Sequence, residues 1–292
     1  MAPAWGTRVL LVTAHPDDEC MFFGPSIQDA RARGADVLLL CLSRGGKGGS
    51  APVRERELAL SARRLGIART RVLEHPALQD GDQSGWDPEL VAAVVRLAVA
   101  AWAPSDLLTF DAGGVSGHRD HAACAAGALL WAASPGEAAR RDGATAAAAR
   151  QAWETGRDCG EWDLPITADA ARPGRPRLWR LRTRAFKYVG AAPLWAADAL
   201  RAARRLEAPS GPLGRLLGIL LALSGSAISL VALFLLRMGR SRGCRPLVRV
   251  HGRDPEAVRN AMRAHASQLV WYRKAWLFLS SYLYFDDLEL LE

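Results

Sequence analysis

Paired cysteines are missing from this chain. The five present, Cys20, Cys41, Cys124, Cys159 and Cys244, stand far apart and are odd in number, which excludes a complete disulfide framework and suits a reducing, cytosol-facing compartment. Zinc-finger spacing, a helix-turn-helix pattern and an aromatic RNA-binding signature are also missing, so nucleic acid is not an expected partner. The N-terminus reaches strand-like sequence at Val9, which leaves too little room for the charged and apolar regions of a signal peptide. What the chain does carry is positive charge, +8 with a pI near 9.8. Most of it comes from arginine, concentrated between Arg172 and Arg253. Such a surface suits an anionic partner, and phospholipid headgroups are expected ahead of nucleic acid.

A length of 292 residues fits a single α/β domain with insertions better than two equal domains. Apolar runs at 9–12, 37–42, 71–74 and 107–110 predict strands. Amphipathic stretches at 23–33, 53–65, 88–102 and 121–131 predict the helices between them. This alternation implies a Rossmann-like, mostly parallel sheet with helices on both faces. A hydrophobic helical insertion and a C-terminal helix are expected to complete it. Residues 134–177 are rich in Ala, Arg, Gly and Pro, with a low-complexity run at 144–149, and predict a variable surface insertion without chemistry of its own.

The segment Ala14-His15-Pro16-Asp17-Asp18-Glu19 follows the first strand, and Asp111-Ala112-Gly113-Gly114-Val115-Ser116-Gly117-His118-Arg119-Asp120-His121 follows the fourth. In parallel sheets, loops at the carboxyl ends of strands hold the ligand. Imidazoles and carboxylates are costly to bury there unless a metal or substrate uses them. His15, Asp18 and His121 can supply three ligands for Zn²⁺ or another divalent cation, leaving a position open for water. Asp17 is the candidate general base, His118 can sit beside the metal as acid or oxyanion donor, and Asp120 can orient it. Taken singly, the first segment also fits a turn with a capping Asp, and the second an exposed loop. Three consecutive acids exceed what a cap requires.

These phrases, with Met21-Phe22-Phe23 and Thr109-Phe110, resemble the N-acetylglucosaminyl-phosphatidylinositol de-N-acetylases of GPI-anchor biosynthesis, which belong to the LmbE-like zinc deacetylases. The resemblance covers Val9 to about Trp131 and resumes over 261–273, where His265-Ala266-Ser267-Gln268-Leu269-Val270-Trp271 stands. It implies zinc on His15, Asp18 and His121, Asp17 as base and His118 as polarising acid. It also implies that Arg54, on the first turn of a helix, reaches the sugar, although a surface arginine paired with Glu57 is an equal reading. Asp80 is a candidate for a sugar hydroxyl. His265 and Gln268 would contact substrate or tie the C-terminal helix to the core. The implied reaction removes acetate from a glycolipid substrate at the endoplasmic reticulum membrane, with the catalytic domain facing the cytosol. Rival readings are a soluble deacetylase of another acetylated sugar and an inactive, metal-holding, membrane-associated subunit.

Residues 216–236 contain no charge and are long enough to span a bilayer. A crossing there would separate the 265–273 phrase from the catalytic segments, so a hairpin inserted in one leaflet and broken near Ser224-Gly225-Ser226 is the alternative, with a buried core helix as the third reading. The family's eukaryotic members usually begin with a membrane-spanning helix that this sequence does not show, so either membrane attachment comes from elsewhere, as from this insertion at about 199–244, or the start is incomplete. The aromatic segment 269–285 can add an interfacial face or belong to the core. The Arg44-Gly45-Gly46-Lys47-Gly48-Gly49 loop can meet the inositol phosphate or be merely flexible.

Overall fold

Side chains along a strand alternate between faces, so a strand buried at every position needs a sheet covered on both sides. Arg8–Thr13 (β1) is such a strand. In the computed structural model, which describes residues 3–81, 85–134, 143–159, 175–183 and 247–291, β1 lies inside an eight-stranded sheet. It pairs in parallel with Asp36–Cys41 (β2) on one side and Asp106–Phe110 (β4) on the other. Arg69–Val72 (β3) continues the parallel sheet beyond β2, and Arg177–Leu181 (β6) continues it beyond β4. Antiparallel strands close both edges. Arg157–Asp158 (β5) lies beside β3, and Phe285–Leu291 (β8) with Leu247–His251 (β7) lies beyond β6. The chain therefore winds from β1 out to β3 and then restarts at β4 on the opposite side. That reversal opens a crevice at the carboxyl ends of β1 and β4.

The helices are Asp18–Phe22 (α1), Gly24–Ala32 (α2), Ala51–Leu65 (α3), Pro88–Trp102 (α4), Gly114–Gly117 (α5), Arg119–Ala133 (α6), Gly143–Thr155 (α7), Pro255–Ala264 (α8) and Trp271–Leu279 (α9). One group packs α4 against α6 and α7, and another packs α3 against α8 and α2. The start of α4 is set locally: the Asp87 carboxylate accepts the Glu89 N–H at 3.0 Å, and Pro88 needs no N–H partner in the first turn.

The four predicted strands and four predicted helices are present within a few residues of their expected bounds. The expected C-terminal helix is present as α8 and α9. Beyond them lies a strand the sequence did not predict, β8, which holds Asp286, Asp287 and Glu289 buried. These acids are tolerable because each is paired: Asp286 with the N–H and hydroxyl of Ser26, Asp287 with Arg249, and Glu289 with Arg180 and Arg182. Within the expected surface insertion, α7 buries Ala149 and Ala152 and sets Trp153 against Trp102 with ring centres 5.6 Å apart. The 216–236 run, and the whole of the 199–244 insertion around it, lies outside the described residues. Among the described residues, no helix is long and apolar enough to cross a membrane.

The contact between α4 and α6 depends on Gly127, where a β-carbon would stand 2.4 Å from a methyl of Val91. Gly127→Val should therefore destabilise the fold by about 1–3 kcal/mol through overpacking. A lowered urea midpoint is the expected reading, and an unchanged midpoint would show that the two helices can separate freely.

Candidate active site

Both loops that leave the crevice are pinned before any ligand is considered. After β1, the backbone N–H groups of Ala14 and His15 donate to Asp18 Oδ2 at 3.1 and 2.8 Å, folding that carboxylate under its own turn. Asp17 adopts φ 109°, in the left-handed region, a conformation that costs a non-glycine residue about 1–3 kcal/mol. Its N–H donates to Glu19 Oε2 at 3.0 Å, which holds it there. Glu19 is itself fully buried, accepts the Ser61 hydroxyl at 2.5 Å and meets His265 Nε2 at 2.9 Å. After β4, the Asp111 carboxylate accepts the N–H groups of Gly113 and Thr183, at 3.0 and 2.7 Å, and the Thr183 hydroxyl. Val115, also at positive φ, donates its N–H to Thr183 Oγ1 at 2.9 Å.

That second loop aims His121. Its Nδ1 is 3.1 Å from the Gly114 carbonyl oxygen, and its ring stacks on Phe110 at 4.1 Å. With Nδ1–H donating to the carbonyl, neutral His121 presents the Nε2 lone pair to Asp18 Oδ1, 3.1 Å away. Two acceptors at that distance repel unless a proton or a cation lies between them, and His121 Nε2 is buried with no hydrogen-bond partner. The donor set therefore fits a divalent cation. Burial works against ionising Asp18, yet with a proton on the His121 nitrogen between them, His121 together with His15 overcomes it and holds the carboxyl below the usual carboxylate range. His15 Nδ1 stands 3.7 Å from Asp18 Oδ2, while its Nε2 meets Asp120 Oδ2 at 2.9 Å and Asp80 Oδ1 at 3.4 Å. Burial opposes charge on His15 as well, but the Asp120 hydrogen bond and the Asp18 and Asp80 charges raise its pKa. Ring nitrogens of His15, His118 and His121 lie within 4.8 Å of one another.

These groups share a cavity of about 490 Å³. Asp17, Arg54, Asp80 and Gln268 line it with them. Asp17 Oδ2 is 2.7 Å from Arg273 Nη1 and 3.6 Å from Arg54 Nη2. Burial pushes the Asp17 carboxyl above its ordinary range, against the pull of both arginines, which suits a base that must hold a proton during turnover. Arg54 is buried and does not pair with Glu57. Its guanidinium donates to the carbonyls of Gly45 and Pro16, both at 2.5 Å, and meets Asp80 at 3.2 Å, so it ties three loops together at the cavity wall.

Two expectations need correction. Asp120 is bonded to His15 and stands 3.9 Å from His118 Nδ1, so it orients the former. His118 borders the cavity with its side chain 44% exposed, and burial, with His121 and His15 nearby, lowers its pKa. His265 lies behind Glu19, fully buried and away from the cavity, so it positions the loop and does not meet substrate. Sequence reasoning also missed Arg273, whose only signal was a charge two residues past the His-x-Ser-Gln-x-x-Trp phrase, beside Lys274 on a helix whose other residues are apolar or aromatic.

The Glu19–His265 pair has a pH signature. Burial opposes both charges, yet each partner sustains the other: His265 is raised from 6.5 and Glu19 lowered from 4.5. The histidine's share of stability is fully present below pH 6.5 and is lost as pH rises through its raised folded value. The glutamate's share is present above pH 4.5 and is lost as pH falls through its lowered one. Between those limits, His265→Ala should cost about 3–5 kcal/mol, because it leaves a buried charge unpaired. Urea unfolding across pH should show the deficit narrowing on the alkaline side, and a deficit independent of pH would mean that the pair is not ionic.

Comparison with known proteins agrees with this geometry. Residues 10–132 match the family described as PIG-L, GlcNAc-PI de-N-acetylase. A Schizosaccharomyces pombe protein named probable N-acetylglucosaminyl-phosphatidylinositol de-N-acetylase is 44% identical over 124 residues, covering 41% of this chain and 50% of the relative. The Bos taurus N-acetylglucosaminyl-phosphatidylinositol de-N-acetylase is 41% identical over 123 residues, covering 41% and 49%. The chain thus spans about half the length of these curated relatives. The fold is that of N,N'-diacetylchitobiose deacetylase from Pyrococcus horikoshii, at 14% identity and a TM-score of 0.53, over 98% of this chain and 84% of that one. Residues 10–132, which carry the turn after β1 and the loop after β4, are thus similar to the GlcNAc-PI de-N-acetylase (PIG-L) family.

Proposed function

We propose that the protein hydrolyses the N-acetyl amide of N-acetylglucosaminyl-phosphatidylinositol, releasing acetate and leaving glucosaminyl-phosphatidylinositol, as a step of GPI-anchor biosynthesis. The observation that carries this reading is the meeting of the Asp18–His121 acceptor pair with buried Asp17 in one cavity. The names of the family and its relatives supply the substrate.

His15, Asp18 and His121 would hold the divalent ion, proposed as Zn²⁺, which when bound supplies Lewis-acid polarisation of a carbonyl and a lowered pKa for water. Asp120, with Asp80, fixes the His15 ring as a carboxylate behind a ligand imidazole does. As water adds to the acetyl carbon, Asp17 takes its proton. His118 donates an N–H to the carbonyl oxygen where charge develops, a task that neutral imidazole performs without first gaining a proton. The C–N bond then breaks as the nitrogen receives the proton held by Asp17, and acetate and a free amine leave. Arg54 and Asp80 line the same cavity and would bind sugar hydroxyls.

The setting proposed is the cytosolic face of the endoplasmic reticulum membrane, with attachment through the 199–244 insertion. Support for the cytosolic side comes from Cys20, Cys41, Cys124 and Cys159, all free thiols.

Asp17→Ala should keep its bound metal, measured as metal content per chain, yet lose roughly 10²-fold or more in acetate release from the glycolipid. Chelation should abolish release in the unmodified chain. Near-normal turnover by the variant would remove Asp17 from the role of base, and turnover indifferent to chelator would remove the metal.

A further inference from the structure

Of the large apolar side chains exposed among the described residues, Leu60, Leu129 and Leu247 lie on three separate elements, whereas Val270, Trp271, Tyr272 and Leu279, 43, 80, 54 and 49% exposed, all belong to α9 or to the residue that caps it. Trp271 and Tyr272 stand edge to face, with ring centres 5.8 Å apart. The inner side of the same helix is committed to the cavity, which Tyr272, Arg273 and Trp276 line. The exposed aromatic pair therefore borders the cavity mouth.

The surroundings of this lip are basic. Lys274 is exposed on the next turn position, and Lys47, also exposed, lines the cavity. The loop that carries Lys47 comes close to Gln268, two residues before the lip, since a β-carbon on Gly49 would lie 3.7 Å from Gln268 Nε2. Indole and phenol rings flanked by cations suit a boundary between hydrocarbon and anionic headgroups, where the rings bury their apolar faces and the cations meet phosphates.

We propose that the lip formed by Val270, Trp271 and Tyr272 is a docking surface for a phospholipid bilayer, seating the cavity mouth on the headgroup layer. A lipid-borne sugar can then enter the cavity while its acyl chains stay in the membrane. The inference rests on the glycolipid reading above and adds the surface that presents the substrate. It uses residues distinct from the 199–244 insertion. Charge and amphipathic ring chemistry favour lipid over a second copy of the chain, since the net charge of +8 works against self-association at a basic lip.

The test uses the full chain with vesicles of phosphatidylcholine, with and without phosphatidylserine, read by co-sedimentation. Trp271→Glu should bind about tenfold or more weakly, the loss expected when one large apolar side chain no longer inserts. Lys274→Glu should weaken binding about fivefold or more, and only when phosphatidylserine is present. Both variants should deacetylate a water-soluble substrate lacking acyl chains as the unmodified chain does, which also certifies their folding, and should fall behind it on substrate embedded in vesicles. Vesicle binding unaffected by Trp271→Glu would overturn the proposal. So would an unmodified chain that ignores vesicles but self-associates through Trp271. Vesicle binding that depends on Trp271, without turnover of any glycolipid, would instead sink the proposed reaction and leave the docking surface standing.

Discussion

A carboxylate with no access to water must be satisfied by its neighbours, and Glu19 draws those neighbours from across the chain. It takes the Asp17 N–H from its own turn, the Ser61 hydroxyl from α3 and the His265 ring from beyond α8, 246 positions away in sequence. One buried charge thus links the turn after β1 to a central helix and to the C-terminal segment. The left-handed backbone at Asp17 persists because this link over-determines it. The orientation of Asp18 and the presentation of Asp17 to the cavity both follow from that fixed turn.

The cavity is assembled from two parts of the chain. Residues 10–132 bring the imidazoles, Asp17, Asp18, Asp80 and Arg54. The segment 247–291 contributes Gln268, Tyr272, Arg273 and Trp276. Arg273 is a second electrostatic link between the parts beside Glu19–His265, since its guanidinium faces Asp17 while donating to Gln268 Oε1 at 2.8 Å. The strand that ends the described chain reinforces this closure through buried acids paired with arginines of β6 and β7. A reaction requiring an ionised base and a set of metal-binding groups inside one small cavity needs such paired surroundings, because each charge alone would shift its pKa toward the neutral form.

The central sheet was legible in sequence because strands buried on both faces are continuous apolar runs, and the helices between them carry amphipathic periodicity. Each metal-binding candidate follows such a run, so its place at the crevice followed from topology. The edge strands were not legible. In β8, Phe285-Asp286-Asp287-Leu288-Glu289 reads as a mixed surface pattern, and its burial makes sense only once Arg249, Arg180, Arg182 and Ser26 are seen opposite its acids. The helix at 143–155 was hidden by its alanine content, which gives little hydrophobic contrast, yet small side chains are what let it lie close against α4.

Residue type and spacing along the chain were enough to predict a doubly wound sheet, a ligand-binding edge, and histidines and carboxylates of the kind that can hold a divalent cation. Partnership was settled in three dimensions. Only there did Asp120 turn to His15 and not His118, His265 retreat behind Glu19, and Arg273 arrive over Asp17. The physical reason is that periodicity and motif report local backbone geometry, whereas a hydrogen bond or ion pair between distant segments depends on how the helices and strands stack. A few ångströms of that stacking decide which acid a given imidazole meets.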